Sequence, residues 1–227
     1  MNEKAGKTTV VLLGTMHLEP EAYPCYARRL GEIIEKIRPT IICSEVSPEQ
    51  LSGSQPCNSK PEQRDVVLPA ARRLGIPVVP IQPATAAAIE WEKRYRAADS
   101  ALRNQEPHCH YLEYGERLAG QEAALWGELM KGEECIENVQ MTEYHVFSQA
   151  RDLVEGQLLP EREKLLEDWN ESFLRKIEET IEGNRGSLIL VVAGLWHKYW
   201  LWNRLSARDD IDVHNLQSYR KTACTQR

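Results

Sequence analysis

The chain has 227 residues, with 28 Lys and Arg against 34 Asp and Glu, a formal net charge of -6, and 42% hydrophobic residues. That apolar share is enough for a core and excludes wholesale disorder, while the acidic balance argues against nucleic acid as a partner, because phosphate backbones select basic surfaces. Six cysteines, none closer together than Cys43 and Cys57, form neither a disulfide-dense scaffold nor a CxxC zinc knuckle.

In chain order, the polar start is followed by Thr8–Leu13 (TTVVLL), whose β-branched, apolar composition predicts a strand buried on both faces. Tyr26, Leu30, Ile33, Ile34 and Ile37 then form one helical stripe, entered at Pro24 and stopped before Pro39. Thr40–Cys43 (TIIC) predicts a second buried strand, and the polar stretch Ser47–Pro61 is long enough to suggest a lid or binding loop. Glu62–Leu74 is amphipathic with Val66, Val67, Ala70 and Leu74 inward, although Pro69 suggests a kink or early stop. After Gly75, Pro77–Ile81 (PVVPI) reads as a third strand. Strand, helix, strand, helix, strand predicts a parallel arrangement.

From Ala84 the strand signal fades and charged amphipathic segments take over. The clearest is Pro160–Glu182, with Leu166, Trp169, Phe173, Ile177 and Ile181 in one stripe. Ser187–Val192 (SLILVV) resumes the strand composition, Trp196–Leu205 reads as a short helix, Ile211–Leu216 as a last strand, and Lys221–Arg227 as a frayed end. The expectation is a single α/β domain. It has a mostly parallel central sheet flanked by helices, a core over 8–83 and 186–218, and a helical insertion or cap over 84–185, before the last strands. Val10–Leu13 is too short for a signal-peptide core, and the longest apolar run, Leu188–Trp196, is about half of a membrane span. A cytoplasmic protein with no membrane partner is therefore expected.

Two places share one local grammar: a buried strand, glycine, two residues, histidine. They are VVLLGTMH, ending at His17, and LILVVAGLWH, ending at His197. Ligands of open α/β sheets bind at the carboxyl ends of the strands, where Gly14 and Gly194 permit a turn and leave space for a ligand. TIICSE delivers Glu45 to the equivalent place on another strand. Two imidazoles and a carboxylate suit a divalent transition metal with open coordination positions, one that polarises a carbonyl and acidifies a bound water. Glu19 and Glu49 follow these motifs as candidate general bases, although an acidic residue helping a helix to start is the plainer reading of each. Trp196, Tyr199, Trp200 and Trp202 beside His197 could wall a pocket or simply be core.

GTMH, Glu45, AARRLGIPVVPI and VVAGLWHKYWL resemble the TraB/Tiki family, which groups with erythromycin esterase and the haem-binding ChaN proteins in one α/β superfamily. The likeness is firm at both ends and loose through the middle. It implies a metal-dependent hydrolase of the Tiki peptidase type, with His17, Glu45 and His197 at the motif positions, acting on a peptide or ester carbonyl of a peptide or small-molecule substrate with a divalent transition metal, Mn, Co, Zn or Fe. Many members carry an Arg-Asn pair before the last strand; here Trp169-Asn170 stands there, so Asn170 keeps a polar position and the arginine is missing. The TraB branch often has C-terminal membrane helices, and this chain shows none. The competing reading is a non-catalytic protein that binds a peptide, haem or another small ligand. A third is a scaffold that docks a partner through Trp91 and Trp126.

Other signals carry less. Gly6-Lys7-Thr8 lacks the preceding strand and first glycine of a phosphate loop. His108-Cys109-His110 reads as a solvated loop, since i and i+2 diverge on a helix, and His145 as a helix-surface or cap-interface residue. No GxSxG elbow is present.

Overall fold

In the computed structural model, residues 6–58, 60–117, 130, 132–140 and 159–225 are described. The strands are β1 (Thr8–Thr15), β2 (Ile41–Ser44), β3 (Val78–Pro80), β4 (Leu188–Gly194) and β5 (Ile211–Asn215). They form one sheet in the order β3-β2-β4-β1-β5, and every pairing is parallel. The α/β fold read from the sequence is the fold observed.

The helices are α1 (Pro24–Ile37), α2 (Pro48–Ser52), α3 (Leu68–Leu74), α4 (Thr85–Arg103), α5 (Cys135–Val139), α6 (Pro160–Gly183), α7 (Leu195–Ser206) and α8 (Leu216–Thr225), with a further helical stretch over 108–117. Alternation along the strands sends side chains to two cores. Val11, Leu13, Ile42, Leu190 and Val192 pack with Leu30, Ile33 and Ile34 of α1 and with Ala70 and Ala71 of α3. Val10, Leu12, Cys43, Ile189 and Val191 pack with Phe173 and Ile177 of α6 and Leu201 and Leu205 of α7. A sheet covered on both faces needs strands apolar on both sides, which is why TTVVLL and SLILVV show no alternation.

Burial of the Cys43 thiol in the second core pushes its pKa up to about 12. Between β3 and β4 every described element is helical, and α6 lies in the core as the helix that returns the chain to the sheet. No helix among the described residues is long and apolar enough to cross a membrane.

Three local results differ from the expectations. Pro69 does not end its helix: the helical run over 61–74 is continuous, and a π-helical turn over Gln63–Val67 just before Pro69 is the local irregularity that accommodates a residue with no N–H. The segment after β5 continues as α8 as far as Thr225, the last described residue, and is anchored by Leu216 and Tyr219 against the first core. Within Ser47–Pro61, the short helix α2 carries a capping box in which Ser47 and Gln50 satisfy each other's backbone N–H groups.

Candidate metal centre at the carboxyl ends of the strands

The parallel sheet points the ends of β1, β2, β3 and β4 to one side. Beyond β1, Met16 donates its N–H to Tyr26 Oη at 3.1 Å. His17 then adopts a left-handed backbone with φ 48°, a conformation that costs a side-chain-bearing residue about 1–2 kcal/mol and is seen where the surroundings impose it. The surroundings here are Glu62: its Oε1 accepts from His17 Nδ1 at 2.8 Å. Beyond β2, Glu45 is buried, its own N–H bonded to Val192 O at 3.0 Å and its Oε2 accepting from the N–H of Gly194. Beyond β4, His197 lies in the first turn of α7 and its Nδ1 donates to Asn170 Oδ1 of α6 at 2.6 Å.

With each Nδ1 committed to an acceptor, each Nε2 presents its lone pair in the neutral tautomer. Both face the same atom: Glu45 Oε1 lies 3.7 Å from His17 Nε2 and 3.7 Å from His197 Nε2. Three acceptors converge, and a proton or a cation has to reconcile them. Lys60 stands beside them, its Nζ 3.5 Å from the same Oε1 and hydrogen-bonded to Gln82 beyond β3.

The charges leave opposite marks on the two rings. Burial alone pulls the His17 pKa down, but the Glu62 hydrogen bond and the charges of Glu45 and Glu62 outweigh it and hold it above the ordinary imidazole value. Burial lowers the His197 pKa, helped by His17 and Lys60, and Glu45 does not fully offset them. Burial raises the Glu45 pKa, yet the charges of His197, Lys60 and His17 and the Gly194 N–H bring it below the usual carboxylate range.

The donor set fits a divalent cation in chemistry and in orientation, because Nδ1–H groups held by buried acceptors are how proteins aim imidazoles at metals. Two ligands at about 2.1 Å in a tetrahedral shell lie about 3.4 Å apart, so the separations of 3.7 Å require each ring to approach Glu45 by a few tenths of an ångström, and the two Nε2 atoms, which lie more than 4.8 Å apart, to approach each other by more than about 1 Å. Among the described residues, the one group of three donors lying within 4.8 Å of one another is peripheral: Glu106, Cys109 and His110. Cys109 and His110 lie at the start of the helical stretch over 108–117, not in the solvated loop expected there, and Glu106 lies in the turn just before it.

The remaining candidate residues separate by role. A Cβ on Gly194 would lie 2.9 Å from His17 Nε2 and 3.2 Å from Glu45 Oε2, so this glycine makes room for the centre itself. Gly14 makes room for the protein: a Cβ there would meet Leu195 Cδ1 at 2.5 Å and Lys198 Cδ at 3.0 Å, and its N–H and C=O are both taken by the Gln140 amide. Asn170 orients His197. Glu49 is engaged at the start of α4, accepting from Thr85 N at 3.1 Å and Thr85 Oγ1 at 3.0 Å. Glu19 is exposed and pairs with Arg64 at 3.6 Å. Trp196 is 54% exposed. Trp91 is half-buried, stacked on Tyr95 and donating to Leu165 O at 2.7 Å, while Trp126 and His145 lie outside the described residues.

Sequence reasoning did not find Glu62, Lys60, Gln63 or Gln82. Glu62 and Gln63 are fully buried, and Ser44 Oγ donates to Gln63 Oε1 at 2.7 Å, so a polar layer underlies the centre. The available signal was an acid and an amide at the start of an otherwise apolar helical face.

Fold and centre together define a doubly covered parallel α/β domain with a His–Glu–His cluster at the strand ends. Compared with protein-family models, curated proteins and solved structures, the chain finds no match.

Proposed function

We propose that the protein is a metal-dependent hydrolase in which His17, Glu45 and His197 hold a divalent transition metal and the substrate is a peptide or ester carbonyl. One observation carries the reading: two Nε2 atoms from opposite ends of the chain face a single buried carboxylate oxygen, while both Nδ1 atoms are tied to buried acceptors. A divalent metal in such a site supplies Lewis acidity and lowers the pKa of water toward neutrality. The chain's own residues do the rest. Glu62 and Asn170 fix the rings, the Gly194 N–H holds Glu45 Oε2, and His17, whose side chain is 33% exposed, stands where the centre meets solvent. Resemblance to TraB/Tiki proteins in the same motif residues agrees with this reading.

Calorimetric titration of the metal-free protein with Co²⁺ and Zn²⁺ tests it. We expect one tight equivalent, with His17→Ala and His197→Ala each weakening uptake by about a hundredfold or more and abolishing turnover across an ester and peptide panel. Full occupancy in both variants overturns the proposal. Tight uptake in the wild type with no product from any substrate would favour a binding protein.

A further inference from the structure

Two lysines are almost wholly buried, and their surroundings differ. Lys198 Nζ has no hydrogen-bond partner, and burial brings its pKa down to about 7. Lys60 is instead aimed. Its ammonium donates to Gln82, which follows β3, and lies 3.5 Å from the Glu45 oxygen that both imidazoles face. Of its three N–H groups, one hydrogen bond is formed among the described residues, which leaves donors for another acceptor. The Lys60 side chain keeps 10% of its exposure and that of Glu45 3%, so the contact with bulk water that would replace such an acceptor is small.

The charge count indicates what the acceptor is. The centre holds two carboxylates, Glu45 and Glu62, and one ammonium, so with neutral imidazoles it carries one net negative charge. A divalent cation reverses this to one net positive charge in a region of low dielectric, where an uncompensated charge is costly. The cation also takes over the Glu45 oxygen that Lys60 now faces. A negative charge at the centre balances this, whether from ionised water or developing on a substrate, and the Lys60 ammonium is the donor beside the place where it would sit. We infer that Lys60, held by Gln82, is the anion-holding residue of the centre and receives the substrate's carbonyl oxygen as it gains negative charge. This rests on the metal reading above. Preorganised cationic donors at a developing oxyanion act in this way because they need no reorganisation as the charge appears.

The test uses the full-length protein loaded with Co²⁺, with the cobalt absorption bands reporting ligand binding. Methylphosphonate, a tetrahedral anion, is the probe, and imidazole is the neutral control. Lys60→Met is expected to take up Co²⁺ at least as well as the wild type, since a like charge has been removed. It should bind methylphosphonate about tenfold or more weakly and imidazole unchanged, while Lys60→Arg retains anion binding. If Lys60→Met does not fold, Gln82→Leu carries the test, with a several-fold loss for the anion alone.

Equal loss of both probes, or loss of Co²⁺ uptake in Lys60→Met, would show a structural lysine and overturn the inference. So would unchanged methylphosphonate affinity. Absence of Co²⁺ uptake by the wild type would overturn the metal reading, and the inference with it, and this is measured before any variant is made.

Discussion

The two arms of the centre share a strand, a glycine, two residues and a histidine, yet they hold their rings by different means. His17 sits on a loop in a left-handed backbone, its side chain 33% exposed, and is held by a carboxylate. His197 sits in the first turn of a helix, its side chain 18% exposed, and is held by an amide. A carboxylate behind an imidazole stabilises its charged form, and an amide does so far less, so the same motif yields one ring that takes a proton readily and one that resists it. The asymmetry leaves the ring nearer solvent inclined to hold a proton and the other inclined to stay neutral.

The sharpest way to break this comparison is to exchange the supports. Glu62→Gln keeps an acceptor for His17 Nδ1 but removes the charge, and is expected to weaken metal uptake about tenfold or more. Asn170→Asp adds the charge behind His197 and is expected to strengthen uptake and raise the pKa of that ring. Calorimetry on the pair checks the signs, and equal effects of both substitutions would mean that the two supports are equivalent.

Next in size is the glycine on the second arm. Gly194→Ala drives a methyl against His17 Nε2 and Glu45 Oε2, groups fixed by hydrogen bonds. We expect a loss of about 1–3 kcal/mol in a denaturant titration, together with weaker metal uptake. Gly14→Ala meets the side chains of Leu195 and Lys198 instead and should lower stability without a separate effect on the metal site.

The titration of the rings follows. In the metal-free protein, the imidazole proton signals of His17 are expected to titrate above 6.5 and those of His197 below it. The signs for stability are opposite. The His17 contribution is complete below its unfolded pKa of about 6.5 and is lost as pH rises through the higher folded value. The His197 contribution is present above about 6.5 and is lost as pH falls toward its lower folded value. Thermal melts of His17→Gln and His197→Gln across this range should therefore deviate from the wild type on opposite sides.

What the sequence disclosed and what it hid follow from the range of each signal. The strands were legible because burial on both faces leaves TTVVLL and SLILVV without polar interruptions. His17, Glu45 and His197 were legible because they sit at fixed offsets from those strands. Their supports were not. Glu62 and Lys60 reach the centre from a segment between β2 and β3, and their approach depends on the π-helical turn that follows them, which no periodicity reports. Asn170 left a trace, an amide on the buried face of α6, but its partner was visible only once α6 and α7 were in place. Gly14 was misread because a strand-end glycine serves a ligand or a packed neighbour equally well, and here Leu195 and Lys198 fill the space.

The smallest expected effect concerns backbone strain. Among the described residues, two that are not glycine adopt positive φ: His17 at 48° and Arg38 at 47°. Arg38 caps the C-terminus of α1 in the left-handed conformation, its N–H bonded to Ile34 O at 3.0 Å, a position that glycine fills without strain. Arg38→Gly should therefore stabilise the fold by about 0.5–1 kcal/mol. His17→Gly relieves a comparable strain but removes the hydrogen bond to Glu62, whose other oxygen, Oε2, is already buried without a partner. The buried carboxylate would then keep the Gln63 amide, at 3.3 Å, as its one hydrogen-bond donor among the described residues, a loss that outweighs the strain returned, so this variant should show no gain. If His17→Gly proved as stabilising as Arg38→Gly, the Glu62 contact would be contributing nothing to the fold, and the left-handed turn at His17 would need another cause.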